Sequence, residues 1–71
     1  MKKVEKLLSK VKNLIQNSEY RSVKLCGVSC SRADLEMIQM YCEMLLNGEN
    51  LNNYIVQPQA KEVFNKVGVE Y

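Results

Sequence analysis

Apolar residues along the first seventeen positions recur with helical spacing. Val4, Leu7, Leu8, Val11, Leu14 and Ile15 fall at i, i+3, i+4, i+7, i+10 and i+11. At 100° per residue all six lie in an arc of about 120°, which predicts an amphipathic helix over about 2–17. Asn17, Ser18 and Glu19 end it, because short polar side chains compete with helical backbone bonds. A second helix is predicted over about 32–47. There the Ser31 hydroxyl is placed to accept the Asp34 amide while the Asp34 carboxylate reaches back, a variant of the capping box. Gly48 then supplies the left-handed residue that closes the helix. A third helix, over about 58–67, opens on Pro58, whose missing amide would be unpaired in the first turn anyway. Ala60, Val63, Phe64 and Val67 form its stripe, and Gly68 followed by Val69 reads as a Schellman end with Val69 packing back on Phe64.

Two stretches have strand character. Val23 and Leu25 alternate with Ser22 and Lys24, and Tyr54, Ile55 and Val56 form a short β-prone run stopped by Pro58. The expected fold class is therefore all-α, a compact three-helix domain over 1–71. Residues 20–29 are a connector or short strand, 48–57 are a loop, and any β element is a minor two-stranded one pairing 22–28 with 54–57. A 71-residue chain has the length of one domain and hides only about 60% of its unfolded surface, so a disulfide, a metal or a partner chain is expected to support it.

Composition bears on which of these it is. Cys26, Cys30 and Cys42 are odd in number, and the chain has no histidine. A disulfide framework needs an even count, and three thiols without a regular C-x-x-C pair lack a fourth zinc-favoured ligand. No metal and no cofactor is expected. The thiols read as small buried hydrophobes in a reducing compartment, the cytoplasm of a bacterium or of an infected host cell. Near the start, Glu5, Lys6, Lys10 and Lys12 interrupt the apolar residues, which excludes the unbroken stretch of a signal peptide, and no run approaches membrane-spanning length. Without histidine, a glycine-rich phosphate loop or paired carboxylates in a pocket-forming context, no enzyme is expected.

A partner chain remains, and the second helix points to where it would sit. Leu35, Ile38, Cys42, Leu45 and Leu46 share one arc of about 100°, while Met37, Met40, Tyr41 and Met44 fill a second arc almost opposite. Only Glu36, Gln39, Glu43 and Asn47 are left for water. Three short helices cannot easily enclose one of their own number, so Met37, Met40, Tyr41 and Met44 are the expected protein interface, as the seam of a homodimer or a surface for another protein. The plainer alternative is ordinary core beneath the 49–57 loop.

Charge is segregated although the net is only +2. Residues 1–12 carry Lys2, Lys3, Lys6, Lys10 and Lys12 against Glu5, whereas 33–50 carry Asp34, Glu36, Glu43 and Glu49 and no basic residue. Lys2, Lys3, Lys6 and Lys10 line one flank of the first helix, able to meet phosphate oxygens or an anionic membrane surface, or to act simply as a solvated face. Residues 20–38, YRSVKLCGVSCSRADLEMI, resemble the helix-turn-helix of bacterial and phage DNA-binding proteins, whose turn often reads L-G-V-S. The turn would be Cys26, Gly27, Val28 and Ser29, with Val23 four before the glycine and Ser31, Arg32 and Asp34 opening the recognition helix. Glu36 stands where that motif wants an apolar residue. The resemblance implies a DNA-binding regulator, with Lys2, Lys3, Lys6, Lys10, Arg21 and Arg32 as nucleic-acid contacts. The expectation preferred to it is a small non-catalytic protein-binding regulator or inhibitor of phage or mobile-element style, a homodimer that occupies a partner surface without chemistry of its own.

Overall fold

The chain runs α1 (Lys2–Asn17), β1 (Ser22–Leu25), β2 (Val28–Ser31), α2 (Arg32–Leu46) and α3 (Pro58–Val67) in a computed structural model that describes residues 2–17 and 22–71. Three helices and a minor two-stranded antiparallel sheet make it mostly α. The sheet differs from the expected pairing of 22–28 with 54–57. Its strands are neighbours, with Ser22 opposite Ser31, Val23 opposite Cys30, Lys24 opposite Ser29 and Leu25 opposite Val28.

Cys26 and Gly27 make the difference. Both take positive φ, 53° and 82°, which is what a two-residue hairpin turn of the primed type requires. Glycine adopts it without steric cost, and Cys26 is carried with it. A strand closed by two residues loses far less chain entropy than one waiting for a partner some thirty residues away. The hairpin also replaces the helix that a helix-turn-helix needs ahead of its turn, so the resemblance of 20–38 to that motif does not extend to its fold.

Val23, Leu25, Val28 and Cys30 share the inner face of the hairpin, while Ser22, Lys24 and Ser29 are exposed on the outer one. Ser31 ends β2 and caps α2. Its Oγ accepts from the Asp34 amide at 3.2 Å and its own amide donates to Asp34 Oδ2 at 3.0 Å, the reciprocal pair expected of a capping box. At the far end Gly48 donates to the Leu45 carbonyl and Glu49 to that of Met44, closing α2 with a Schellman turn. Gly68, at φ 82°, closes α3, where Val69 donates to the Phe64 carbonyl at 2.9 Å and is buried.

α1 lies along α2, and α3 packs against β2 and α2. The core between them takes Val4, Leu7 and Val11 from α1, the inner face of the hairpin, and Ala60, Val63 and Phe64 from α3. From α2 it takes Leu35, Ile38, Tyr41, Cys42 and Leu45. Phe64 is its aromatic centre, edge-on to Tyr41 at 6.4 Å and tilted against Tyr71 at 5.2 Å.

Candidate protein-interaction surface

Around α2 the buried arc is displaced from the expected one. Tyr41, expected at an interface, is 1% exposed and belongs to the core, while Leu46, expected in the core, is 37% exposed. The two residues flank the shared set Leu35, Ile38, Cys42 and Leu45 on opposite sides, and packing around Phe64 draws in the larger side chain. Tyr41 is thus corrected from contact residue to support. Met37, Met40 and Met44 stay on the outside of the helix, Met40 at 42% exposure and the other two half-buried at the margin of the core.

The loop between α2 and α3 enlarges this margin. Leu51 and Val56 are buried and fix its two ends. Between them Asn50 Oδ1 accepts from the Asn52 amide at 3.1 Å, and the Tyr54 amide donates to the Leu51 carbonyl at 3.1 Å. The tip is fastened to α2, because the Tyr41 hydroxyl donates to the Ile55 carbonyl at 3.4 Å. Met37 and Met44, at i−4 and i+3 from Tyr41, are among its neighbours on the helix surface, and the backbone tied to the same tyrosine is that of Ile55. Its side chain is 96% exposed, and that of Tyr54 is 50% exposed. An isoleucine left in water forgoes about 1.5–3 kcal/mol that burial would return. Sequence reasoning missed Ile55 because a β-prone run suggests pairing, although a run lacking a strand partner beside a helix with two apolar faces is itself a signal.

No family of known proteins, no curated protein and no solved structure matches this chain.

The basic residues occupy another side. On α1, Lys2, Lys3, Lys6 and Lys10 fall within about 100° of arc, together with Asn13 and Asn17 and with neither a carboxylate nor an apolar residue between them. Lys3 Nζ reaches the Gly68 carbonyl at 3.5 Å, at the negative end of the α3 dipole. Lys2, Lys6 and Lys10 follow one another at i, i+4 and i+8, a spacing that costs a helix about 0.2–0.5 kcal/mol for each like-charged neighbour pair. Lys2 and Lys3 also sit in the first turn, where the helix dipole disfavours cations. Arg32 belongs elsewhere, since its Nε is paired with Glu36 Oε1 at 3.3 Å, the sole ion pair among the described residues. Arg21 lies outside the described residues.

The thiols do not come together as a metal site, and among the described residues no cluster of ligating side chains does so. Cys30 and Cys42 are buried and Cys26 is half-buried. Burial, with the charge of Glu43 secondary, pushes Cys42 up to about 12. Burial followed by the charges of Asp34, Cys26 and Glu62 raises Cys30 as well. Such thiols stay protonated and weakly nucleophilic at neutral pH. Among the described residues no helix is long and apolar enough to cross a membrane.

Proposed function

We propose that this chain is a small non-catalytic protein-binding regulator or inhibitor that acts by occupying a partner surface. Its docking face is the strip of Met37, Met40 and Met44 extended by Tyr54 and Ile55, and its first occupant is a second copy of the chain. The observation that carries this reading is Ile55, an apolar side chain wholly in water on a loop held by two buried anchors and a hydrogen bond. Unbranched, polarizable methionines beside such an anchor adapt to the surface they meet. A standard interface of about 800 Å² per partner would take roughly a sixth of the 4831 Å² accessible surface.

Light scattering behind a sizing column tests it. The chain is expected at twice its 8.2 kDa mass, and Ile55→Glu or Met40→Glu is expected to give the single mass with unchanged helical circular dichroism. Both positions are exposed, so loss of the fold does not stand in for loss of association. A single mass for the unsubstituted chain at high concentration overturns the self-association.

A further inference from the structure

We infer that the lysine ridge of α1 is a contact surface for the phosphate backbone of a nucleic-acid duplex, read without regard to base sequence. The ridge shares no residue with the methionine face, so the inference stands apart from the proposed self-association. Three observations carry it. First, Lys2, Lys3, Lys6 and Lys10 lie on one side of a continuous sixteen-residue helix, with Asn13 and Asn17 extending the same side and no carboxylate interleaved. At about 1.5 Å rise per residue the four lysines span about 12 Å of it, so the charges form a rigid row rather than a flexible tail. Second, the arrangement opposes helix stability twice, through like-charged i, i+4 neighbours and through cations in the first turn. Glu5 in the first turn and the Gly68 carbonyl beside Lys3 offset this at the start of the helix, while Lys6 and Lys10 carry no ion pair among the described residues. Solubility alone is served by mixed signs, so the row marks a use.

Third, the remaining features of α1 select the partner. Val4, Leu7 and Val11 are buried, so the helix has no free apolar face to lay into a lipid surface. It carries no aromatic side chain on which unpaired bases would stack, and no arginine for bidentate reading of guanine. A row of hydrated point charges with asparagine donors suits phosphate oxygens along a duplex.

The test is retention of the full chain by a short mixed-sequence DNA duplex as salt is raised from about 50 to about 200 mM, with the same single strand and phosphatidylserine-phosphatidylcholine vesicles as separate arms. Four lysines predict a log-log salt slope of at most about −3.6 and an affinity loss of about 100-fold over that range. Replacing Lys2, Lys6 and Lys10 with Gln is expected to make the slope shallower by nearly 3. The charge-matched set Lys24→Gln, Lys61→Gln and Lys66→Gln, on the hairpin and α3, is expected to leave most of it. No retention at about 50 mM salt, equal loss from both sets, preference for the single strand, or retention by vesicles without retention by duplex would each overturn the inference.

Discussion

Replacing Tyr41 with Phe isolates the bond that fixes the loop tip. The ring remains, with its edge-on contact to Phe64, and only the hydroxyl that donates to the Ile55 carbonyl is lost. A typical intramolecular hydrogen bond contributes a net of about 0.5–1.5 kcal/mol. At 3.4 Å this one belongs at the low end, and the released carbonyl sits on a residue almost wholly in water, so it can hydrate. The expected global loss is therefore about 0.5 kcal/mol, or roughly 2–4 °C in Tm for a domain of this size. Most of the effect should be local. Amide exchange at Tyr54, which donates to Leu51 within the loop, should speed up while amides in the middle of α2 change only with global stability. Self-association should weaken as well, because a mobile Ile55 must be ordered on docking. Urea denaturation together with hydrogen exchange resolves the two contributions. Unchanged exchange at Tyr54 would show that the hydroxyl does not hold the loop, and a global loss above about 2 kcal/mol would mean that the Ile55 carbonyl is left dry and unpaired.

Two further outcomes are expected. Ser31→Ala removes one half of the box that joins β2 to α2 and should cost about 1 kcal/mol, read as a fall in the urea midpoint; an unchanged midpoint would mean that water serves the Asp34 amide equally well. The buried Cys42 thiol has a folded value of about 12 against an ordinary 9.0, so its contribution to stability is complete below pH 9 and is lost as pH rises toward 12. Stability should fall by on the order of 1 kcal/mol per pH unit above 9, and Cys42→Ala, less stable at neutral pH, should fall less steeply; parallel curves would refute the buried thiol as a cause.

The helices could be read from the sequence because each carries its signal within itself. Sixteen residues of regular stripe define α1, Ser31 with Asp34 opens α2, and Pro58 and Gly68 bracket α3. The hairpin was half legible. Its inner-face residues are Val23 and Leu25 at odd positions, then Val28 and Cys30 at even ones, and that slip of phase across Cys26 and Gly27 is the mark of a two-residue turn. Counting only Val23 and Leu25 as the alternating run hides the slip, and the strand then seems to need a distant partner. Residues 54–57 offer such a partner on composition alone, yet nothing in their β propensity tells a paired strand from a loop with one side chain down and one out. Val56 is buried and its neighbour Ile55 is not.

The site was legible to the extent that one helix could be projected. Six apolar residues of α2 make two overlapping windows of five, one ending at Tyr41 and the other at Leu46, and a helical wheel has no term to choose between them. The choice is made from outside the helix, by Phe64 of α3 and by a loop whose backbone accepts the Tyr41 hydroxyl. Phe64 lies in the next helix and Ile55 in the loop before it, and no periodicity within α2 could have supplied them. The same contacts bury Tyr41 and tie to it the backbone of Ile55, whose side chain stays in water. Sequence periodicity is therefore enough to say that α2 is apolar on more than one face, while only tertiary contacts say which of those residues are covered and which, such as Met40 and Leu46, stay exposed. Tyr41 has changed role in that transfer, from an expected contact residue to a core side chain that holds the loop bearing the proposed contact, Ile55.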